Sequence, residues 1–283
     1  MQPSSQSGGA HPPIISLRDV AYSYPHAGGA PALDSVSLDI AAGEFVAVAG
    51  VNGSGKSTLA RLLNGLLLPA RGKVLIDGAD TAAAENLERI RETVGMVFQD
   101  PESQIVAGTV GDDIAFGLEN LALAPDEIER RLQRVAARFG LEALLEREPH
   151  WLSGGQKQRT VLAGVVAMAP RVLVLDEPTA MLDPRSQKEF LALVRDLWQE
   201  GTTVLYISHD MEEIAAAPRM LALAGGRPVY DGSPRNFFSS GRLLEVAGLA
   251  PPLAMRLSHE LAAAGHKLVP ALTLRELVEQ ICG

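Results

Sequence analysis

The hydrophobic pattern of the chain alternates between short apolar runs and stretches with helical spacing. Four of these runs predict strands, at Glu44–Ala49, Val94–Phe98, Val172–Leu175 and Thr203–Ile207. Three more strands are predicted to begin at Ile15 and to span Leu33–Ile40 and Lys73–Ile76, with turns at Gly28-Gly29 and Asp77-Gly78. A helix is predicted after the first of the four runs, at Thr58–Leu63. Strands and helices in this order predict an α/β fold.

Two stretches of the chain are helical in pattern. Residues 101–169 are predicted to form an inserted helical subdomain, in which Pro125 and Gly140 bound an apolar stripe made of Ile128, Leu132, Val135 and Phe139. Residues 232–283 are predicted to form a small C-terminal appendage of two amphipathic helices, with stripes at Leu253, Leu257, Leu261 and at Leu274, Leu277, Val278, Ile281. A capping box at Thr273 and Glu276, with a hydrophobic staple of Leu272 and Leu277, begins the last helix. The appendage suits packing on the core or on a second copy.

The stretch from Gly50 to Ser57 reads Gly-Val-Asn-Gly-Ser-Gly-Lys-Ser and lies between a predicted strand and a predicted helix. That context is the one in which a phosphate-binding loop works, because the glycines let successive N–H groups face an anion at a helix N-terminus. Lys56 would reach the β- and γ-phosphates of a nucleotide, and the Ser57 hydroxyl would bind Mg²⁺. A Gly/Ser-rich turn that contains lysine by chance is the alternative, and the flanking elements disfavour it.

Polar side chains follow three other predicted strands. Asp176 and Glu177 end a buried strand, where Asp176 would hold Mg²⁺ and Glu177 would deprotonate the attacking water. His209 follows the next strand and would hydrogen-bond the γ-phosphate or that water. Gln99 follows an earlier strand and would complete the Mg²⁺ shell or position water. Solvated turn carboxylates, a structural histidine and a surface amide are the alternatives.

Two further features are open to more than one interpretation. Ser153-Gly154-Gly155-Gln156 precedes a predicted helix at Lys157–Met168, so it forms either a second anion site or only an N-cap. Tyr24 lies shortly before the phosphate loop, and its ring either stacks on a purine or is an ordinary edge-strand aromatic.

Composition narrows the range of functions. The 283 residues carry a net charge of −9, which argues against bulk nucleic-acid binding. The single cysteine, Cys282, forms no internal disulfide, which suits a reducing cytosol. Residues 1–13 have no signal-peptide pattern and are predicted to be a disordered tail. No apolar run is long enough to span a bilayer, so we expect any membrane role to act through a partner.

Taken in order, these motifs resemble those of the ATP-binding cassette (ABC) ATPases. The matching residues are Tyr24, Gly50–Ser57 (Walker A), Gln99 (Q-loop), Leu152–Gln156 (LSGGQ signature), Val172–Asp176 (Walker B), Glu177, Leu182-Asp183 (D-loop) and His209 (switch histidine). The resemblance implies a P-loop NTPase fold over residues 14–231, with a RecA-like core sheet, an antiparallel β subdomain and the inserted helical subdomain. ATP and Mg²⁺ are the implied cofactors.

The resemblance also assigns roles to single residues. Catalysis is assigned to Glu177, His209 and Gln99, and Mg²⁺ binding to Ser57, Gln99 and Asp176. ATP binding within the chain is assigned to Tyr24, Gly50, Asn52, Gly53, Ser54, Gly55, Lys56, Ser57 and Thr58. In ABC dimers the signature of one subunit closes on the ATP of the other, so Ser153, Gly154, Gly155, Gln156 and Asp183 would face the nucleotide of a partner.

Within the family, the segment Val94–Asn120 and Met181-Leu182-Asp183-Pro184 resemble the energy-coupling factor (ECF) group, the ATPases of vitamin and cobalt/nickel importers. This implies a motor subunit on the cytoplasmic face of the cell membrane, with a second ABC ATPase subunit, a transmembrane coupling subunit and a substrate-binding membrane subunit as partners, and no nucleic acid. Glu177-Pro178-Thr179-Ala180 departs from the Glu-Ala-Thr-Ser form often found in one of the two ECF paralogues, so a homodimer and a heterodimer both stay open. Another ABC importer or exporter is the alternative. A soluble ABC protein acting on DNA or ribosomes is disfavoured by the net charge of −9 and the short insertion.

Overall fold

The computed structural model describes residues 12–25 and 30–282. The strands in this part of the chain are β1 Ile15–Tyr22, β2 Leu33–Ile40, β3 Phe45–Ala49, β4 Arg71–Ile76, β5 Ala79–Asp80, β6 Val94–Val97, β7 Val172–Asp176, β8 Thr203–Ile207, β9 Arg219–Ala224 and β10 Arg227–Gly232. The helices are α1 Lys56–Leu63, α2 Leu87–Thr93, α3 Val110–Asn120, α4 Pro125–Phe139, α5 Gly154–Ala167, α6 Pro184–Gln199, α7 Met211–Ala215, α8 Pro234–Phe238, α9 Gly241–Ala247, α10 Leu253–Ala263 and α11 Leu274–Cys282. The predicted turn at Gly28-Gly29 and all but the last two residues of the predicted tail lie outside the described residues.

The core is a six-stranded sheet in the order β10-β9-β3-β8-β7-β6. Its strands are parallel except for β10, which pairs antiparallel with β9. In the register of β7 and β8, Asp176 is opposite Ile207. Because parallel strands end at the same edge of a sheet, this register brings the residues after β7 and β8 together. The predicted α/β core is confirmed.

A second sheet, in the order β2-β1-β4-β5, is antiparallel throughout. Its apolar side chains, such as Leu17, Val36 and Ile76, are buried in the same cluster as Leu59 and Leu62 of α1. In β2 buried and exposed positions alternate from Val36 to Ile40, while Leu33 is buried three positions before Val36. The packing of this sheet against α1 supports the loop that begins that helix.

Helices α3, α4 and α5 pack together beside the core sheet. The predicted stripe of α4 is confirmed, with Leu132, Val135 and Phe139 buried. Pro125 occupies the first turn of this helix, and Gly140 ends it with a φ of 65°, a left-handed conformation that favours glycine. The helix that follows the Ser153 segment begins earlier than predicted, at Gly154, because Ser153 itself is the N-cap.

The C-terminal part contains four helices, α8 to α11, so the prediction of two helices is wrong in number. The two that were missed have only 5 and 7 residues, which is too short for a helical period to be visible in the sequence. Phe237, Phe238 and Met255 are buried against Ala47 and Met220 of the core sheet. The appendage therefore packs on the sheet.

The start of α11 differs from the prediction in detail. Thr273 Oγ1 accepts a hydrogen bond of 3.2 Å from the N–H of Glu276, as predicted. The Glu276 carboxylate, however, accepts from the N–H of Leu272 at 2.9 Å and not from that of Thr273. Leu272 and Leu277 are both buried but belong to different apolar clusters. Only half of the capping box is present, and the predicted staple is not formed.

Within the described ranges, none of the helices has the length and apolar character that crossing a membrane requires.

Candidate functional site

The loop between β3 and α1 forms a cradle of backbone groups. Gly55, the N-cap of α1, has a φ of 104°, and a Cβ at this position would collide with the carbonyl oxygen of Ala32. The first turn of α1 has neither a side-chain cap nor an acidic residue. Its first N–H groups lack partners within the helix, so the loop presents free donors and the positive end of a helix dipole to an anion.

Two polar side chains of this loop are buried. Lys56 is 5% exposed, and its Nζ donates to the carbonyl oxygens of Gly50 at 2.9 Å and Val51 at 3.2 Å. Burial lowers the pKa of Lys56, while the nearby carboxylates of Glu177 and Asp176 act in the opposite direction. The buried hydroxyl of Ser54 has no hydrogen-bond partner among the described residues. A bound phosphate would compensate the buried charge of Lys56, whereas Ser54 does not line the cavity described next.

Lys56 opens onto a cavity of about 490 Å³. Of the predicted site residues, the ones that line it are Tyr24, Asn52, Gly53, Gly55, Lys56, Ser57, Thr58 and Glu177. The Tyr24 hydroxyl lies 3.2 Å from Thr58 Oγ1, and its ring packs edge-on against Tyr22 with centroids 5.0 Å apart. Ala30, Pro31, Ala32 and Gly225 also line the cavity, and sequence reasoning missed them because they carry no distinctive chemistry.

The side chains of Ser57 and Asp176 are hydrogen-bonded to each other. The Ser57 hydroxyl donates to Asp176 Oδ1 at 3.2 Å, and Asp176 is 6% exposed. Burial raises the pKa of Asp176, although the hydrogen bond from Ser57 and the charges of Arg61, Lys56 and His209 lower it. Hydroxyl and carboxylate oxygens are ligands that Mg²⁺ accepts, and a cation would offset the cost of burying this carboxylate. The two residues fit a Mg²⁺ site.

Gln99 is separate from this cluster. It follows β6, is exposed, and does not line the cavity of Lys56 in the described part of the chain. The neighbouring turn is held by Gln104, whose side chain accepts from the N–H of Phe98 at 2.7 Å and donates to the carbonyl oxygen of Met96 at 3.3 Å. The structure therefore leaves Gln99 outside the arrangement that the sequence predicted for it.

Glu177 and His209 are in direct contact. His209 Nε2 lies 2.5 Å from Glu177 Oε1. Glu177 has a φ of 52°, a left-handed conformation that is strained for a glutamate, and its N–H donates to the carbonyl oxygen of Ile207 at 3.0 Å. Glu177 borders the cavity of Lys56 and also a second cavity of about 430 Å³, which His209 lines as well. A carboxylate oriented by an imidazole thus stands beside the phosphate cradle.

The Ser153 segment forms an N-cap of α5. Ser153 Oγ accepts from the N–H of Gln156 at 3.3 Å, and Gln156 Oε1 accepts from the N–H of Ser153 at 2.9 Å, which is a complete capping box. Gly155 lies so close to α6 that a Cβ would reach 2.5 Å from Ser186 Oγ. In the described residues, none of Ser153, Gly154, Gly155 and Gln156 lines the cavity of Lys56.

Asp183 is the N-cap of α6. Its carboxylate accepts from the N–H groups of Arg185 at 3.0 Å and Ser186 at 3.1 Å, and from Ser186 Oγ at 2.6 Å. The Ser186 hydroxyl is the largest cause of a lowered pKa at Asp183. Sequence reasoning did not foresee this capping role.

Sequence reasoning also missed Glu213. Its carboxylate accepts hydrogen bonds from Thr179, Gln187, Tyr206 and Ser208. The signal available in the sequence was an acidic residue one helical turn after His209.

A family model described as ABC transporter matches residues 33–180 of the chain. Over 278 residues the chain is 49% identical to the energy-coupling factor transporter ATP-binding protein EcfA1 of Symbiobacterium thermophilum, with 95% of this chain and 97% of the relative covered. It is 46% identical over 252 residues to the energy-coupling factor transporter ATP-binding protein EcfA of Methanosarcina acetivorans, with 89% and 91% covered.

Two solved structures are similar over most of their length. The first is cbiO1 from Clostridium perfringens, described as part of the ABC transporter complex cbiONQ, with a TM-score of 0.75, 33% identity and coverage of 89% of this chain and 100% of that chain. The second is a dimeric ATP-binding cassette in a post-hydrolysis state bound to ADP and Pi, with a TM-score of 0.72, 29% identity and coverage of 78% and 99%.

Proposed function

The chain belongs to the ABC transporter family, within its group of energy-coupling factor ATP-binding proteins, and we propose that it is the ATP-hydrolysing motor subunit of an importer. It couples nucleotide-driven closure of an ATPase dimer to uptake of a micronutrient, a vitamin or a transition-metal ion, through membrane subunits. The observation that carries the proposal is the 2.5 Å contact of His209 with Glu177 beside the cavity of Lys56. Hydrolysis of a γ-phosphate needs a positioned carboxylate next to a phosphate cradle.

The reaction is assigned to groups at the mouth of this cavity. Lys56 and the N–H groups at the start of α1 bind the β- and γ-phosphates and stabilise the charge that spreads over them in the transition state. Glu177 orients the attacking water and accepts its proton. His209 keeps the Glu177 carboxylate in place and hydrogen-bonds the γ-phosphate or the water. Tyr24, at the rim of the cavity, stacks on the adenine ring.

Mg²⁺ is assigned to Ser57 and Asp176, with Gln99 joining them when nucleotide is bound. Mg²⁺ held there would neutralise negative charge on the nucleotide phosphates. The facing oxygens of Ser57 and Asp176 and the raised pKa of Asp176 support this assignment. Since Gln99 is exposed and lies outside the cavity, its participation requires the loop after β6 to move toward the nucleotide.

The chain acts as one half of a dimer, with a copy of itself or a paralogous ATPase subunit as the other half. Ser153, Gly154, Gly155, Gln156 and Asp183 then face the nucleotide of the partner. Two observations support this arrangement: the signature residues lie outside the cavity of their own chain, and one similar structure is a cassette dimer with ADP and Pi. Closure follows ATP binding because the γ-phosphate binds the closed dimer better than the open one.

We assign contact with the membrane subunits to a groove beside β6. A cavity of about 600 Å³ between α2, α3, α5 and β6 is lined by the apolar side chains of Met96, Phe98 and Phe116, with the charged residues Glu88, Arg91 and Glu92 of α2 also on its wall. Phe116 is 50% exposed. We assign this groove to the transmembrane coupling subunit, which puts the chain at the cytoplasmic face of the cell membrane as a peripheral protein. A separate membrane subunit selects the substrate.

The chain is divided by function into an ATPase domain at 14–231, with its helical subdomain at about 101–169, and an appendage at 232–283. Along α11 and the segment before it, Val269, Leu274, Val278 and Ile281 form an exposed apolar surface, called here the α11 stripe. We assign the α11 stripe to contact with the second ATPase subunit. Its exposure supports this assignment, because single-subunit packing leaves these side chains uncovered.

The test is purification of the chain from membranes of the producing cells, followed by identification of the bound subunits and assay of phosphate release from ATP with and without Mg²⁺. We expect Mg²⁺-dependent hydrolysis and membrane subunits of the importer type. Recovery of the chain from the membranes without any membrane subunit, or with the subunits of an exporter, would contradict the importer assignment. Absence of hydrolysis in the intact complex would contradict the motor function.

A further inference from the structure

We propose that Glu213 is a positioning residue that holds the loops carrying Glu177 and His209 in one arrangement, an inference that rests on the proposed ATP hydrolysis. Glu213 lies in α7, directly after the loop of His209. Its side chain does not line either of the two cavities that border Glu177 within the described residues. It therefore acts through other residues.

Both oxygens of the Glu213 carboxylate are occupied by donors from different elements. Oε1 accepts from Thr179 Oγ1 at 2.9 Å and from Gln187 Nε2 of α6 at 2.8 Å. Oε2 accepts from the Tyr206 hydroxyl of β8 at 2.9 Å and from Ser208 Oγ at 2.5 Å. One carboxylate thus joins the loop after β7, the start of α6, the end of β8 and the loop after it.

Four donors from different elements converge on the one side chain of Glu213. Thr179, Tyr206 and Ser208 are 5%, 1% and 4% exposed, and buried hydroxyl groups need partners. An ionised carboxylate only accepts, and it has room for about four hydrogen bonds. Bonds to a charged acceptor are about twice as strong as neutral ones. Four converging donors therefore match a carboxylate best, and an amide of the same shape can still bond all four groups because hydroxyl groups also accept.

The groups that Glu213 holds are neighbours of the catalytic pair. Thr179 lies two residues after Glu177, and Ser208 directly precedes His209. Thr179, Gln187 and Ser208 also line the cavity that Glu177 and His209 share. The strained backbone of Glu177 persists only if the surrounding structure holds it in place. The hydrogen bonds of Glu213 to the neighbouring loop residues provide that restraint.

The experiment compares steady-state ATP hydrolysis of the intact complex with wild-type chain, Glu213→Ala and Glu213→Gln. We expect Glu213→Ala to lower kcat by about 10- to 100-fold, because a small misplacement of catalytic groups has effects of that size. The KM for ATP should stay within about twofold, since the cradle of Lys56 is untouched. Glu213→Gln should restore most of kcat, because its amide oxygen accepts from Thr179 and Gln187 while its nitrogen donates to the two other hydroxyls.

The matched control is Glu212→Ala. Glu212 is the neighbouring carboxylate in α7, but it accepts from the N–H of Leu253 at 2.8 Å, which belongs to the appendage. Among the described residues its carboxylate has no bond to the loops of the catalytic pair, and the Ala variant keeps the backbone N–H that donates to Asp210, so this variant should keep the wild-type kcat.

Each other result has a defined meaning. A folded Glu213→Ala variant with wild-type kcat overturns the inference, and so does a loss that Glu213→Gln does not restore. If Glu213→Ala fails to fold, the double variant Thr179→Val/Ser208→Ala decides: lowered kcat at unchanged KM supports the inference, and unchanged kcat overturns it. A wild-type complex without hydrolysis overturns the proposed function as well, whereas an active wild type with an equally active Glu213→Ala overturns this inference alone.

Discussion

His209 Nε2 lies 2.5 Å from Glu177 Oε1, although the two residues follow different strands of the core sheet. The contact arises from register: Asp176 is opposite Ile207 in the parallel pair, and the N–H of Glu177 donates to the carbonyl oxygen of Ile207 at 3.0 Å. The catalytic pair is therefore built into the end of the sheet and needs no loop closure to form.

The first prediction concerns Glu177→Gln. An amide cannot accept the proton of the attacking water, so we expect kcat for ATP hydrolysis to fall by about 10²- to 10⁴-fold. Binding of ATP should persist, and the variant should accumulate as an ATP-bound dimer. Phosphate release and size-exclusion chromatography with ATP and Mg²⁺ measure both effects. Glu129→Gln, an exposed change on α4, should behave like the wild type, and undiminished turnover in Glu177→Gln would refute the assigned role.

The second prediction follows from the raised pKa of Asp176, whose main cause is burial. A carboxyl with a raised pKa stabilises the folded chain at low pH, and this contribution is lost as pH rises from the unfolded-state pKa through the folded-state pKa. At neutral pH the ionised group is unfavourable without a cation. We therefore expect Asp176→Asn to raise the Tm of the metal-free chain at pH 7, by about 2–4 °C per kcal/mol gained, and to abolish hydrolysis.

Asp183→Asn provides a control of opposite sign. The pKa of Asp183 is lowered, chiefly by the Ser186 hydroxyl, so its contribution to stability is present above the unfolded-state pKa and is lost as pH falls through the folded-state pKa. We expect Asp183→Asn to lower the Tm at pH 7. Thermal unfolding between about pH 4 and pH 8 compares the two variants. A decrease of Tm in Asp176→Asn at pH 7 would contradict the second prediction.

The third prediction contrasts two adjacent glycines at the start of α5. In Gly155→Ala the new Cβ would meet Ser186 Oγ at 2.5 Å, whereas in Gly154→Ala its nearest neighbour is the carbonyl oxygen of Met181 at 3.7 Å. We expect Gly155→Ala to lower the Tm, and Gly154→Ala to leave it unchanged or to stabilise the chain by about 0.5–1 kcal/mol. Urea unfolding of the two variants checks this. If the two variants are equally stable, α6 must shift enough to accommodate the methyl group of Gly155→Ala.

Regular hydrophobic patterns made most strands and helices predictable, but only where an element is long enough to show its period. Leu33–Ile40 and Thr203–Ile207 were predicted with their observed bounds, because an alternating run and a continuous apolar run are both bounded by clear turn residues. Helices α8 and α9 were not predicted from the sequence because each covers only one to two turns.

The motifs of the candidate site could be predicted from the sequence, but the hydrogen bonds that join its loops could not. The sequence places Lys56 beside its own loop, since the loop and helix are contiguous. The donors to Glu213 are spread from Thr179 to Ser208, and only the packing of β7, β8 and α6 brings them to one carboxylate. The position of Gln99 outside the cavity likewise depends on the turn that Gln104 fixes by its bond to the N–H of Phe98. The residue pattern does not predict that bond.

The fourth prediction concerns the α11 stripe. Val278 and Ile281 are 55% and 57% exposed, so Val278→Asp should leave the Tm of the single subunit nearly unchanged. If the stripe contacts the second ATPase subunit, the buried charge should weaken association by about 10-fold or more. Analytical ultracentrifugation measures this. Leu277→Asp, at a buried position of the same helix, should instead lower the Tm, and wild-type association in Val278→Asp would exclude the stripe from the interface.

The fifth prediction separates hydrolysis from coupling at the groove beside β6. Phe116 lines this groove and is half exposed, and the catalytic residues Glu177 and His209 do not line it. In Phe116→Asp a charge replaces the aromatic ring, so an apolar helix of the membrane subunit would lose its contact with the ring and meet a carboxylate. We expect this variant to keep the ATPase activity of the isolated subunit while losing co-purification with the membrane subunits. Glu119→Ala, a polar change on the same helix, should keep both. Retained co-purification in Phe116→Asp would indicate that the membrane contact lies on another surface, because the variant removes the half-exposed ring from the groove and adds a charge there.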